Sequence, residues 1–176
     1  MRIIAGTNKG RTLKTPKWTG LRPTSDKLRE TLFNILQNRI TGARVLDVFS
    51  GTGAIALEAL SRGASGATCV ESDRRAAALI AENAALCREE RCVIIRDVVE
   101  RALLKPVPGG PFDIVVLDPP YEYAHLDAAV ANAAAQRAAN GMVILEHAAR
   151  VIPPQPDGIT LTRTVTSGDS ALSFYA

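Results

Sequence analysis

The sequence predicts an α/β fold: a doubly wound, mostly parallel sheet of seven strands ending in an antiparallel C-terminal hairpin, with a small basic hairpin in front of it. Three observations predict this. Short, nearly continuous apolar runs alternate with helical patterns between residues 44 and 146, the pattern of a parallel sheet covered on both faces. Two further runs flank Ser167-Gly168-Asp169, a hairpin signal. The first 30 residues carry eight basic and two acidic side chains, whereas the other 146 carry 13 and 16.

Ile3-Ile4-Ala5 and Arg11-Thr12-Leu13 flank the turn-rich Thr7-Asn8-Lys9-Gly10, so residues 1–14 read as a hairpin. Residues 15–23 are irregular. Thr24-Ser25-Asp26 offers N-cap chemistry for a helix whose apolar positions run from Leu28 to Ile40, with Gly42 as its end. The first strand is Arg44–Phe49, followed by Ser50-Gly51-Thr52-Gly53 and a helix to about Arg62. A second strand covers 67–71, with an alanine-rich helix from about Asp73 to Cys87. Cys92–Arg96 is a third strand, with a short helix around Val98–Leu104. Phe112–Leu117 is the fourth, residues 124–139 a helix, and 141–146 the fifth. Ile159–Val165 and Ala171–Tyr175 make the closing hairpin.

The chain has 176 residues, 47% hydrophobic and 22% charged, which suits one ordinary globular domain and excludes global disorder. No apolar run approaches the roughly 20 residues of a membrane helix. The opening Met1–Gly6 lacks the apolar stretch of a signal peptide, so a cytoplasmic protein is expected. Cys69, Cys87 and Cys92 are odd in number and form no C-x-x-C; they read as buried hydrophobes or free thiols, and no metal site is expected. The basic leader on a faintly acidic body suits either a polyanion partner or a solvated arm. Trp18 in that arm could stack on a nucleotide or pin the arm to the body, and pinning is preferred.

Ligands in such folds bind beyond the carboxyl ends of the strands. Asp47, Glu71, Asp97 and Asp118 fall there, one after each of four successive strands. Each alone could cap a helix, Asp97 most readily, but four together point to a site. Gly51 and Gly53 permit a tight bend with close ligand approach, and the helix behind them offers free N–H groups. This loop, with Glu71 placed 20 residues past Gly51 to accept ribose hydroxyls, fits a nicotinamide enzyme and a nucleoside-cofactor enzyme alike.

Asp118-Pro119-Pro120-Tyr121 separates the two. The prolines fix an extended corner, Tyr121 offers a flat ring, and Asp118 and the Pro119 carbonyl offer acceptors. An exocyclic base amine is a poor nucleophile because its lone pair is delocalised. Acceptors on its hydrogens localise that pair, and stacking holds the base in line with a methyl donor. A nicotinamide oxidoreductase leaves this motif unexplained, and His125 and His147 read as surface or helix-end residues rather than proton donors. A binding module without catalysis is the other alternative.

These motifs resemble the class I S-adenosylmethionine-dependent methyltransferases, and more closely the RsmD family of bacterial 16S ribosomal RNA guanine-N2 methyltransferases. The resemblance rests on Gly10–Leu13, Leu21–Asn34 with its R-P-T…R-E-T-L-F-N, Val45–Ala54, Leu57–Ala64 and Phe112–Tyr121, so it covers nearly the whole chain. It implies a Rossmann-like domain over residues 24–176 and a basic RNA-binding arm over 1–23. It implies S-adenosyl-L-methionine as cofactor and one guanine N2 of 16S rRNA in the assembling small ribosomal subunit as target, with a monomeric enzyme. Asp47, Phe49, Gly51 and Gly53, with Ser50 and Thr52 of the same loop, would surround the methionine part. Glu71 and Ser72 would hold the ribose, and Asp97 and Val98 the adenine. Thr24 would border the mouth. Asp118, Pro119, Pro120 and Tyr121 would hold the target base, and Arg2, Lys9, Arg11, Lys14, Lys17 and Arg22 would meet RNA phosphates. DNA adenine N6 or a protein amide is the alternative target, because the same corner tolerates both.

Overall fold

The computed structural model describes residues 1–18 and 25–176. The apolar runs become β1 (Arg44–Val48), β2 (Gly66–Glu71), β3 (Cys92–Arg96), β4 (Phe112–Leu117) and β5 (Arg137–Ala148), all parallel. Two further strands, β6 (Leu161–Ser167) and β7 (Ser170–Tyr175), complete a sheet ordered β3-β2-β1-β4-β5-β7-β6. β7 is antiparallel to both β5 and β6, so the C-terminal hairpin is present as expected. The chain steps outward from β1 to β3 and then returns to β4 on the other side. That reversal opens a crevice at the carboxyl ends of β1 and β4.

The helices are α1 (Asp26–Leu36), α2 (Ala54–Ser61), α3 (Arg74–Cys87), α4 (Val99–Ala102) and α5 (Leu126–Ala135). Ser25 caps α1 by accepting from the Leu28 N–H at 3.1 Å, and Asp73 caps α3 through the N–H groups of Arg75 and Ala76. Alternate residues of the central strands face opposite layers. Val45, Ile114, Val116 and Ile144 pack against α1, α2 and α3. Leu46, Val48, Val115, Leu117 and Val143 pack against α4 and α5. No helix among the described residues is long and apolar enough to cross a membrane.

Two boundaries differ from the sequence reading. The first helix stops at Leu36, not near Ile40, and the Arg39 N–H turns back to the Leu36 carbonyl at 2.7 Å. Ile40 stays 3% exposed, so the apolar spacing ran on past the helix because the turn returns Ile40 to the core. The helix expected over 124–139 ends at Ala135, and β5 begins at Arg137. The Phe112 N–H donates to the Gln136 carbonyl at 2.9 Å, and Arg137 pairs with Phe112. Ladder bonds to β4 outweigh the helix preference of the alanines there.

The N-terminal hairpin is built into the body. The Ile3 N–H bonds to the Arg11 carbonyl and the Gly10 N–H to the Ile3 carbonyl, both at 2.9 Å. Ile3 and Leu13 are buried in the layer with α1, α2 and α3. Buried Glu58 on α2 accepts from the Ile4 and Ala5 N–H groups at 2.7 and 3.0 Å. Gly6, at φ +82°, lies so close to α2 that a Cβ would stand 1.8 Å from the Ser61 carbonyl oxygen. Arg29 of α1 is fully buried; its Nη2 donates to the Arg2 carbonyl at 2.5 Å, and its Nε lies 4.0 Å from Glu58. Arg62 Nε donates to the same Glu58 at 2.7 Å, so α1, α2 and the hairpin meet on one carboxylate.

Candidate active site

The site grows from the ends of β1, β2 and β4. Strand register sets Val48 beside both Val70 and Leu117, so the residues that follow each strand emerge side by side. The Ser50 hydroxyl donates to the Asp47 carbonyl at 2.6 Å, which folds the chain over just after β1. Phe49 takes up a left-handed φ of 63° in this bend. Gly53 follows at φ +74°, where an added Cβ would meet Ile80 Cγ2 at 2.9 Å. A side chain there would push the bend off α3 and out of the crevice.

Asp47 is 1% exposed, and its carboxylate accepts from the Ala56 N–H at 3.2 Å. Burial, assisted by the charges of Asp118 and Glu71, pushes its pKa up to about 8. Glu71 accepts from the Gly51 N–H through one oxygen and from the Asp73 N–H through the other, each at 2.8 Å. Its remaining lone pairs stay available to hydroxyl donors. Ser72 beside it is exposed. Asp97 accepts from the Val98 N–H at 2.7 Å and pairs with Arg101, which holds its pKa below the usual carboxylate range. Val98 is exposed. Thr52 is buried, with its carbonyl on the Asn83 amide at 3.0 Å.

At the end of β4 the Asp118 N–H bonds to the Val48 carbonyl at 3.3 Å, which fastens the Asp118–Tyr121 corner to β1. Pro119 is buried and Pro120 exposed. Tyr121 is 47% exposed, so its ring is not packed inward, and its hydroxyl lies 3.0 Å from Ser170 Oγ. Asp47, Glu71 and Asp118 thus converge, while Asp97 stands aside with Arg101. Among the described residues no group of three or more His, Cys, Asp or Glu side chains could hold a metal ion.

The converging carboxylates suit S-adenosylmethionine. Its sulfonium and amine carry the positive charge that offsets three neighbouring acids, and Glu71 can take ribose hydroxyls.

Arg2, Lys9, Arg11, Lys14 and Lys17 are all exposed. Asn8, next to Lys9, bonds to Ser61 and Glu89 near the C-terminal ends of α2 and α3, far from the crevice. Lys14 pairs with Glu82 farther up α3 at 2.8 Å. Trp18 lies under the Arg75 guanidinium, 4.9 Å from its ring centroid, at the start of α3. The arm therefore climbs α3 toward the crevice, with Trp18 on the body as preferred. Arg22 and Thr24 lie outside the described residues.

Four contributors escaped sequence reasoning. Tyr123 sets its ring edge-on to Phe49 at 4.9 Å and donates its hydroxyl to Glu100 at 2.5 Å. Asn83 joins Thr52 to the Lys14 backbone; its one signal was a polar residue on the buried stripe of α3. Asp73 caps α3, and Ser170 meets Tyr121 from a distant hairpin. His147, expected at the surface or a helix end, is 4% exposed within β5, with Nε2 2.8 Å from Ser173 Oγ. The C-terminal strands cover it, a packing that local sequence does not display.

Comparison with known proteins agrees with this architecture. A family model described as "Conserved hypothetical protein 95" matches residues 1–176. Ribosomal RNA small subunit methyltransferase D of Escherichia coli (strain K12) is 42% identical over 127 residues, 72% of this chain and 63% of that protein. The aligned part is thus less than two thirds of that relative's length. YlbH of Bacillus subtilis (strain 168) is 34% identical over 99% of this chain and 98% of its own. The solved structure of yhhF from Escherichia coli superposes with a TM-score of 0.87 at 31% identity, covering 99% of this chain and 96% of that one. The chain belongs to the RsmD family of class I methyltransferases.

Proposed function

We propose that the protein transfers a methyl group from S-adenosyl-L-methionine to the exocyclic N2 of one guanine of 16S rRNA in the assembling small ribosomal subunit. The observation that carries this is the corner Asp118–Tyr121, fixed to β1 beside buried Asp47, with a half-exposed ring at its tip. The name of the Escherichia coli relative supports ribosomal RNA of the small subunit as the substrate.

The cofactor supplies an electrophilic methyl. Asp47 and the Gly51–Gly53 bend hold its methionine part and Glu71 its ribose, while Asp97 and Val98 border the base. Tyr121 stacks the guanine. Asp118 and the Pro119 carbonyl accept hydrogen bonds from its amine, which localises the lone pair; as the N–C bond forms and the S–C bond breaks, Asp118 stabilises the positive charge on nitrogen and takes up the proton that nitrogen then sheds. The target base must leave its stack to reach this corner, which favours a loop nucleotide. Lys9, Arg11, Lys14 and Lys17 bind phosphates along α3 and position the RNA rather than specify it.

The test is transfer of labelled methyl to small-subunit particles, naked 16S rRNA, DNA and protein extracts, with mapping of the modified base. Methylguanine in 16S rRNA is expected. Label found only in adenine of DNA or in protein overturns the guanine assignment. Asp118→Ala is expected to retain cofactor binding and lose nearly all turnover.

A further inference from the structure

We propose that Tyr123 is a positioning residue for the cofactor bend: its ring braces Phe49 in a disfavoured backbone conformation, and Glu100 of α4 keeps the brace in place. The inference rests on the proposed seating of the cofactor's methionine part against this bend.

Phe49 is one of two residues other than glycine at positive φ among the described residues. The other, Arg88, caps the end of α3, a common place for it. Phe49 has no such excuse. A left-handed backbone is disfavoured for a bulky side chain and persists where neighbours enforce it. The Ser50 hydroxyl on the Asp47 carbonyl and the Gly51 N–H on Glu71 fix the chain around Phe49, but neither bond places its ring. Tyr123 does: the two ring centroids are 4.9 Å apart with their planes at 73°, the edge-on contact that aromatic pairs favour.

Tyr123 is in turn held at both ends. Its N–H donates to the Pro120 carbonyl at 2.9 Å, which closes the turn after the Asp118–Tyr121 corner. Its hydroxyl donates to Glu100 Oε1 at 2.5 Å. That bond holds the Glu100 carboxyl below its usual range, while burial and Glu100 push the Tyr123 phenol up. The ring also borders a cavity of about 270 Å³ lined by Val99, Leu104, Ala129 and Asn132. It has room to turn away on that flank, so the bond to Glu100 keeps it against Phe49. Because α4 begins just after Asp97 and Val98, the chain Glu100–Tyr123–Phe49 runs from the proposed adenine edge to the methionine bend.

S-adenosylhomocysteine, the product of methyl transfer, is the probe, with affinity read by titration calorimetry. Tyr123→Leu removes the ring edge and the hydroxyl and should weaken binding about tenfold. Tyr123→Phe and Glu100→Ala should each weaken it about threefold, the worth of one hydrogen bond. Together they should weaken it no further, because both remove the same bond. Glu100→Gln keeps an accepting oxygen and should bind as the wild type does. Unchanged affinity in Tyr123→Leu, multiplying losses in the double variant, or no rescue by Gln overturns the proposal.

A readout without ligand separates this claim from the proposed function. In the unliganded protein, amide hydrogen exchange over residues 47–53 should speed up in Tyr123→Leu, with exchange over β7 unchanged. Unaltered exchange in the bend overturns the brace whatever the protein binds. Faster exchange there, in a protein whose wild type binds no S-adenosylhomocysteine, keeps the brace and rejects the function.

Discussion

The Gly51 N–H and a Glu71 carboxylate oxygen are joined at 2.8 Å, so the acid after β2 holds the glycine bend after β1 in shape. Glu71 thereby serves the loop as well as any ribose. Glu71→Gln replaces one accepting oxygen with a donor that cannot receive a backbone N–H. S-adenosylmethionine should bind at least about tenfold more weakly, consistent with losing a hydrogen bond to a charged group. Titration calorimetry measures this, and wild-type affinity in the variant would remove Glu71 from the site.

If Asp47 holds the cofactor as proposed, cofactor binding should depend on pH. Its pKa in the folded protein, about 8, lies above the ordinary 3.8, so the unliganded protein holds a proton there that the unfolded chain releases. This group therefore lowers folding stability progressively as pH rises from the ordinary value toward about 8. A cationic ligand favours the ionised form. Affinity for S-adenosylmethionine should rise about three- to tenfold per pH unit up to that pKa and level off above it. Binding should also release a proton, visible as a buffer-dependent heat. Asp47→Asn should flatten the profile; a flat profile in the wild type would sink the idea.

Glu58 accepts from the Ile4 and Ala5 N–H groups and from Arg62, and faces buried Arg29 at 4.0 Å. Glu58→Gln removes one of the two carboxylates that face buried Arg29, leaving Asp26 at 3.0 Å, and weakens the Arg62 pair, so it should cost about 1–3 kcal/mol. Arg44→Ala breaks a pair with Asp113 in which both side chains are 42% exposed, and should cost less than about 1 kcal/mol. Urea unfolding measures both, and similar midpoints would show that the buried cluster does not matter.

Cys69 and Cys92 Sγ atoms lie 3.8 Å apart across β2 and β3. The hydrogen bond from Cys69 lowers the Cys92 pKa, and burial raises that of Cys87. Iodoacetamide should label Cys92 first of the three, and Cys69→Ala should slow that labelling. Peptide mass spectrometry reads the order; earlier labelling of Cys87 would contradict it.

The parallel strands and the acids at their ends were legible because burial on both faces leaves unbroken apolar runs, and each run stops where chemistry begins. Asp47, Glu71 and Asp118 could be placed from that rule alone. Long-range partners were not legible. Nothing near Tyr121 announces Ser170, and nothing near Arg29 announces Glu58, because both pairings arise from how layers stack. The alanine-rich stretch before Gly141 misled because alanine fits a helix while leaving the choice to neighbouring ladder bonds. The hairpin at residues 1–14 was read correctly in shape, but its plug-like packing rests on Ile3 and Leu13, two apolar residues whose neighbours are distant in sequence.

That packing changes what a shortened protein would be. Cutting the chain at Ser25 removes Ile3 and Leu13 from between the helices and strips Glu58 of two backbone donors. The remainder would carry an open seam beside α2 and would be prone to clump. The RNA contacts proposed for this region are better tested by reversing the charge of Lys9, Arg11 and Lys17 one at a time, in a chain whose length is left alone.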